Sequence, residues 1–238
     1  MQSGKAISKA DGQGARAFTL TELIVLVAVI TVLAFCLLPA LARTNPDTRA
    51  FQCLNNQRQL ARAWRLYADD SNDRLCGIIF MMSITANDVR RPWVQGWLTW
   101  DTRFDNTNTV FLTDPRYASI ATYLGRDAQV FKCPADKFVS TVQRNLGWRQ
   151  RARSVSGNCF VGANGLNPGL ADPAYVSPAK WAEFINPKPS ETWLFMDEHP
   201  DSMNDPVLIS PRANEWIDIP SNLHDGGAGV AYADGSAE

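Results

Sequence analysis

The chain has 238 residues, of which 45% are hydrophobic and 20% are charged, a composition typical of globular proteins. Its 23 basic and 24 acidic residues leave a formal net charge of −1. This balance argues against a nucleic-acid-binding protein, because such proteins carry a basic excess or a basic patch. The length allows one sizeable domain beyond a leading segment.

The first predicted element is an almost wholly apolar segment, which runs from Ala17 to Ala42. Residues 23–42 carry no charge, and as an α-helix they would span about 30 Å, the thickness of the hydrocarbon core of a bilayer. Three basic residues and one acid precede the segment: Lys5, Lys9, Arg16 and Asp11. This basic excess predicts a single membrane pass with a cytoplasmic N-terminus and an exported C-terminal domain.

A secretory signal peptide is the alternative, and Ala40-Leu41-Ala42 fits the pattern of its cleavage site. Glu22 favours a retained helix that assembles with copies of itself. A charged side chain costs ~2.5–3.5 kcal/mol at the centre of a bilayer and less near its edge, and a cation on a neighbouring helix offsets that cost. A free amine on Phe18 would be such a cation, and it requires cleavage between Ala17 and Phe18.

Residues 17–23, Ala-Phe-Thr-Leu-Thr-Glu-Leu, resemble the N-terminal motif of type IV pilins and type II secretion pseudopilins. The resemblance implies that prepilin peptidase removes a cytoplasmic leader, residues 1–17, and methylates the new terminus at Phe18. It also implies that Glu22, fifth in the mature chain, pairs with a neighbour's Phe18 amine during assembly. Pro39 stands at mature position twenty-two, where pilins often carry a proline, and it removes one helical hydrogen bond. Ala17 replaces the family's usual Gly, so we expect slower cleavage rather than none.

A second, amphipathic helix is predicted after Pro46, which is tolerated in a first turn. Four apolar or aromatic side chains recur at spacings of seven, four and three, which places them on one helix face: Cys53, Leu60, Trp64 and Tyr67. The helix is expected to end near residues 69–72. We expect its apolar face to pack on the protein's own sheet rather than to receive a partner helix.

From Cys76 onward, short apolar runs alternate with turn-rich stretches, which predicts a few antiparallel strands. The predicted strands lie within residues 76–81, 97–100, 130–133 and 192–196, and a short helix is predicted at 119–124. Residues 144–153, with four arginines, are predicted to form a solvated loop. The predicted fold class is therefore α+β. A long N-terminal helix, transmembrane at 18–42 and stalk at 43–72, packs on a small antiparallel-sheet, pilin-like head at 73–238.

Near the C-terminus, His224 is followed by nine residues and then by Asp234-Gly235. This spacing resembles the C-terminal motif of a pseudopilin-like family abundant in Planctomycetes and Verrucomicrobia, and residues 53–75, 130–136, 151–160 and 195–205 share the resemblance. It implies a filament subunit and not an enzyme, located in the bacterial inner membrane with an exported head. The implied partners are other copies of the subunit, prepilin peptidase, an inner-membrane assembly platform and membrane lipid, but no nucleic acid.

Two histidines in the head, His199 and His224, have acids around them. These are Asp197, Glu198, Asp201 and Asp205 near the first and Asp225 and Asp234 near the second. They could form a divalent-metal site, but their spacing matches no zinc-protease motif, and a structural role for His224 and Asp234 in fixing the C-terminus is favoured. Oxygen donors in the 201–205 loop suit calcium, namely Asp201, Asn204 and Asp205. The alternative there is a solvated turn rich in Asp and Asn.

Four cysteines in the head are candidate disulfide partners: Cys53, Cys76, Cys133 and Cys159. They allow three complete pairings, and buried thiols are the alternative. The absence of a histidine next to Cys133 in the sequence argues against a thiol nucleophile. A second hypothesis for function is a membrane-tethered metal-dependent enzyme or ligand-binding domain that uses the His/Asp-rich C-terminal region. A third is a secreted protein that loses residues 1–42.

Overall fold

The structure, a computed structural model, describes residues 19–42, 46–79, 92–162, 176–209 and 215–238. The chain divides into two compact units, residues 1–44 and residues 45–238. Ala17 and Phe18, between which cleavage is predicted, lie outside the described residues. So do residues 43–45, through which the predicted long helix would have to continue.

The first unit contains helix α1, Leu20–Ala42. Thr19 caps it: its hydroxyl accepts a hydrogen bond from the Glu22 N–H, and its own N–H donates to Glu22 Oε2 at 2.8 Å. This reciprocal arrangement is a capping box, which satisfies N–H groups that have no partner in a first helical turn. Pro39 lies within the helix, and its side chain is outside the described part. Among the helices whose side chains are described, none is both long enough and apolar enough to cross a membrane.

The second unit begins with helix α2, Pro46–Asp70. The apolar face predicted from the spacing is the buried one, with Cys53, Leu60 and Trp64 at most 1% exposed. The chain leaves the helix through Asn72 and Asp73, whose positive φ angles of 54° and 67° turn it back. The predicted end of the helix is therefore confirmed.

Four strands form one mixed sheet in the order β3-β1-β2-β4. They are β1, Val155–Asn158, β2, Trp193–Asp197, β3, Val207–Leu208, and β4, Val230–Tyr232. The pairs β1–β2 and β2–β4 are antiparallel, but β1–β3 is parallel. Helix α2 packs on β2 and β4. The described residues are thus mixed α and β, and the expectation of a purely antiparallel sheet is wrong for one of the three pairings.

Short helices connect these elements. The α-helices are α3, Val110–Thr113, and α4, Thr141–Asn145. The 3-10 helices are Phe104–Asn106, Ala121–Leu124, Ala128–Phe131, Trp181–Glu183 and Pro189–Glu191. The strand predicted at 130–133 is wrong, because the Asp127 carboxylate accepts a hydrogen bond from the Gln129 N–H and starts a helical turn there. The strand predicted at 192–196 is confirmed by β2, and the helix at 119–124 by Ala121–Leu124.

Two arginines of the 144–153 segment are inside the protein, which corrects the prediction of a solvated loop. Arg151 and Arg153 are each 1% exposed. The Arg153 guanidinium donates to the Val155 carbonyl at 2.8 Å and to Ser156 Oγ at 2.9 Å, and that of Arg151 lies 4.1 Å from the centre of the Trp100 ring. Burial is tolerated because carbonyl oxygens and an aromatic face replace water around the charged groups.

Candidate metal centre

Four side chains from distant parts of the second unit converge beside helix α2. They are Cys53 of α2, Cys133 after the 3-10 helix Ala128–Phe131, Asp197 at the end of β2, and His224 before β4. One ligand atom from each lies within 4.8 Å of the other three. The first three side chains are at most 1% exposed, and His224 is half-buried.

Two contacts fix the geometry of this four-residue cluster. Cys53 Sγ lies 2.5 Å from Asp197 Oδ2, and Cys133 Sγ lies 3.2 Å from His224 Nε2. These pairs are 144 and 91 residues apart in the sequence. The cluster therefore exists only when the helix, the sheet and the C-terminal segment are all in place.

Hydrogen bonds of the backbone position three of the four residues, Asp197, Cys133 and His224. The Asp197 N–H donates to the Gly229 carbonyl at 3.0 Å, which ties the end of β2 to the segment that precedes β4. The Cys133 N–H donates to Ser154 Oγ at 2.6 Å. His224 sits on a tight turn, in which it exchanges two backbone hydrogen bonds with Gly227. The turn requires positive φ at Asp225 and Gly226, 51° and 87°, which explains a glycine at the second of these positions.

Gly229 lets the backbone approach the cluster closely. A Cβ atom at this position would lie 2.9 Å from Cys53 Sγ and 3.0 Å from Asp197 Oδ2. Real Cβ contacts are not this short, so any side chain would push two of the four ligand atoms away. The residue at 229 is therefore constrained by the cluster rather than by a turn.

Burial and crowding disfavour the charged forms of these groups. The hydrogen bond with Cys133, together with burial and the nearby Asp197 carboxylate, raises the pKa of the Cys53 thiol well above its ordinary value. Burial raises the pKa of Asp197 to about 6 and lowers the pKa of His224. A cation bound among the four atoms would oppose the rise in pKa of Cys53 and Asp197, because it stabilises thiolate and carboxylate, and it would further favour the neutral imidazole of His224.

Comparisons with family models, with curated proteins and with solved structures found no match. What the cluster can bind must therefore follow from its own donor atoms. Two sulfurs, one imidazole nitrogen and one carboxylate oxygen are a donor set that zinc accepts in tetrahedral sites. Within the described ranges, no other group of three or more His, Cys, Asp or Glu residues could hold a metal.

The prediction from the sequence named Asp197 and His224 among the metal candidates, and the structure brings these two together. It places His199 elsewhere, with Nδ1 3.8 Å from Asp201 Oδ2 at the surface. No histidine adjoins Cys133 in the sequence, but in the fold its sulfur contacts His224. The absence of a thiol nucleophile stays a prediction. The sequence does offer one signal for these ligands, since cysteines occur within apolar segments that are expected to be buried. Spacing along the chain cannot, however, show that they lie beside a distant histidine.

The predicted calcium loop has its carboxylates in different surroundings. The side chain of Asp201 is 73% exposed. Asp205 is 4% exposed, and its carboxylate accepts a hydrogen bond from the Val207 N–H at 3.2 Å. Asn204 Oδ1 accepts from the Asp205 N–H. Calcium binding by these residues stays a prediction.

The two ends of the His-x9-Asp-Gly motif have different surroundings. Whereas His224 joins the cluster, the Asp234 carboxylate accepts hydrogen bonds from the N–H and hydroxyl of Ser236. Gly235 has a φ of 90°, which reverses the chain so that Glu238 exchanges two backbone hydrogen bonds with Val230. The Asp-Gly pair thus closes a hairpin that pairs the last residues with β4.

The remaining cysteines lie apart from the cluster. Cys76 and Cys159 are buried, and Cys76 Sγ lies 2.7 Å from Ser119 Oγ. Cys53 and Cys133 are free thiols in the structure. The disulfides suggested by the sequence stay a prediction, now with a competing arrangement for Cys53 and Cys133.

A groove of about 770 Å³ lies beside α2 and the C-terminal hairpin. Its polar lining comes from Arg62, Arg65, Lys188, Ser190 and Asp234. Neither histidine of the head lines it. The groove is therefore not the pocket that a His/Asp-based enzyme would need.

Proposed function

We propose that this chain is a membrane-anchored, pilin-like subunit that prepilin peptidase processes. It assembles with copies of itself into a type IV pilus-like filament or a type II secretion pseudopilus. The observation that carries this proposal is Glu22, the one charged residue in the otherwise apolar helix α1. It stands at the position that the pilin resemblance requires.

The surroundings of Glu22 support a role at the helix N-terminus. Its carboxylate accepts hydrogen bonds from the N–H and the hydroxyl of Thr19, at 2.8 and 2.7 Å. Thr19 directly follows Phe18 in the sequence, and cleavage before Phe18 would release the amine of that residue. In a filament, the carboxylate exchanges this local capping for the amine of a neighbouring subunit.

The apolar surface of α1 supports burial in lipid or among neighbouring helices. Its large apolar side chains between Leu20 and Leu33 are 48–74% exposed. Helices of this kind associate through van der Waals packing in a bilayer or in a filament core. In this proposal, the precursor sits in the inner membrane with its leader in the cytoplasm, and the unit formed by residues 45–238 is exported.

The N-terminus of the native protein tests the proposal. We expect mass spectrometry to find a mature chain that begins at N-methylated Phe18, and the variant Ala17→Gly to be processed faster. If the native chain retains residues 1–17, Phe18 has no free amine, and the proposal is overturned. A chain that begins near Arg43 identifies a secreted protein instead.

An enzyme active site in the head is the second candidate function. It is supported by the four-residue cluster, in which Cys133 Sγ and His224 Nε2 are 3.2 Å apart. Cys133 is 1% exposed, so a substrate would have to displace surrounding side chains to reach the sulfur. Metal-dependent hydrolysis that is lost in His224→Ala, with processing at Phe18 unchanged, would favour this candidate.

A further inference from the structure

We propose that Cys53, Cys133, Asp197 and His224 bind one zinc ion, which fastens helix α2 to the sheet and to the C-terminal segment. This inference goes beyond the filament role, and it holds whether or not the chain is processed at Phe18.

The distances within the cluster suit one small cation. Zinc binds sulfur at ~2.3 Å and nitrogen or oxygen at ~2.0–2.2 Å, so tetrahedral ligands lie about 3.3–3.8 Å from one another. The 3.2 Å separation of Cys133 Sγ and His224 Nε2 is close to this value. Cys53 Sγ and Asp197 Oδ2, at 2.5 Å, need to part by about 1 Å, which a cation between them would cause.

The donor types select zinc over the hard cations. Calcium and magnesium bind through oxygen, whereas two of these four donors are sulfurs and one is an imidazole nitrogen. Iron–sulfur clusters are generally held by four cysteines, and only two are present here. Four protein ligands complete the coordination of zinc, which is typical of a structural site rather than a catalytic one.

Neighbouring polar groups support the ligands. Ser154 Oγ lies 3.4 Å from Asp197 Oδ1 and also accepts from the Cys133 N–H, so one hydroxyl orients two ligands. Gln57, one turn after Cys53, hydrogen-bonds to Asp197 and donates to the Gly229 carbonyl at 3.4 Å. Contacts of this kind fix ligand orientation in metal sites, and their loss weakens metal binding.

A disulfide between Cys53 and Cys133 accounts for the cluster less well. It would use both sulfurs and leave Asp197, 0% exposed, with one fewer hydrogen-bond donor. An ionised carboxylate in that position is costly unless it is paired. Zinc instead uses one ligand atom from each of the four side chains.

Zinc content of the purified full chain in detergent tests the proposal. We expect one zinc per chain by elemental analysis, and at least a tenfold loss of affinity in Cys53→Ser, Cys133→Ser and His224→Ala. The matched control is Cys159→Ser, which removes a buried sulfur outside the cluster and should leave the zinc content unchanged. Circular dichroism of each variant shows whether it is folded.

Cobalt substitution keeps the test decisive if a serine variant fails to fold. We expect the wild-type chain to take up Co²⁺ with the absorption of a tetrahedral thiolate site, and zinc to displace it. A chain that binds neither zinc nor Co²⁺ after reduction overturns the proposal. So does native protein in which a peptide map links Cys53 to Cys133. Either failure leaves the mature N-terminus, and with it the filament proposal, unaffected.

Discussion

Cys53 of helix α2 and Asp197 of strand β2 lie 144 residues apart in the sequence, yet their sulfur and carboxylate oxygen are 2.5 Å apart. Both side chains are at most 1% exposed. Burial raises the pKa of Asp197, and the hydrogen bond from Cys53 opposes that rise. The hydrogen bond with Cys133, burial and the Asp197 carboxylate raise the pKa of Cys53. Because Cys53 is on α2 and Asp197 is on β2, a cation bound between them would join the helix to the sheet.

Chelation should therefore destabilise the head. A ligand that binds the folded state alone, at a free concentration one thousand times its Kd, stabilises it by ~4 kcal/mol. We expect a zinc chelator to lower the Tm of the full chain by several degrees, and added zinc to restore it. Calcium is the matched control, and it should not restore the Tm. Restoration by calcium alone would point to the Asp201–Asp205 loop instead.

Gly229→Ala should weaken the cluster sterically, because the new Cβ would meet Cys53 Sγ and Asp197 Oδ2. We expect a stability loss of ~1–3 kcal/mol, typical of overpacking, together with reduced zinc content. Denaturant titration and elemental analysis measure the two effects. Gly227→Ala is the control, since its Cβ meets only the His224 carbonyl, at 3.3 Å. Equal losses in both variants would contradict the special role of Gly229.

Arg153→Ala should be strongly destabilising. Burial lowers the pKa of Arg153 to about 10, so it is charged at neutral pH, and its charge favours the ionised forms of Glu198 and Asp205. Its removal leaves two buried acceptors, the Val155 carbonyl and Ser156 Oγ, without this donor, at a cost of ~1–3 kcal/mol for each group left unsatisfied. Arg149→Ala, at an exposed position, should change the unfolding free energy by about 0.5 kcal/mol or less. Similar urea midpoints for the two variants would refute the buried-charge interpretation.

Asp205 should make stability depend on pH. Burial raises its pKa from 3.8 to about 6, so the folded state binds a proton more tightly than the unfolded state does. Stability from this group therefore increases as pH falls from about 6 towards 4, and the burial cost is fully present above pH 6. We expect the wild type to gain on the order of 2–3 kcal/mol relative to Asp205→Asn over this interval. Urea titrations of chelator-treated protein at pH 7 and pH 4 measure it, and a constant difference would contradict it.

Glu22→Ala and Thr19→Ala separate two roles of the Glu22 carboxylate. Both variants break the capping box, but only the first removes the charge that would meet a neighbour's amine. We expect both to insert into the membrane and only Glu22→Ala to stop filament assembly. Filament yield in sheared fractions, with membrane content as the control, measures this. If both variants lose assembly to the same extent, Glu22 acts only as a helix cap, and the proposed pairing with a neighbour's amine is contradicted.

Sequence patterns predict the structure best where the fold of a segment depends only on which face of that one segment is apolar. The spacing of Leu60 and Trp64 predicted the buried side of α2, because a helix repeats every 3.6 residues. A short apolar run predicts a strand at 130–133, but the Asp127 cap outweighs this preference, and residues 128–131 form a helical turn. Burial of Arg151 and Arg153 depends on carbonyl oxygens and a ring that only the folded chain supplies.

Local sequence patterns do not predict the four-residue cluster either, because its members are far apart in the sequence. His224 was recognised within its motif, and Asp197 as one of the acids beside His199, but neither could be connected with a cysteine. Their partners come from α2 and from the segment after Phe131, and no spacing rule spans 144 or 91 residues. Gly229 gave no signal of its own, because its constraint comes from atoms of Cys53 and Asp197.

The place of Cys53 early in α2 has a mechanical consequence. Since α2 starts at Pro46, tension applied to a chain held by its N-terminal segment enters the head along this helix. Under the zinc proposal, the metal bond at Cys53 would pass that load directly to Asp197 at the end of β2, to Cys133 and to His224. Under the two proposals, load on a filament subunit would then reach the sheet through metal–ligand bonds as well as through the packing of α2 on β2 and β4.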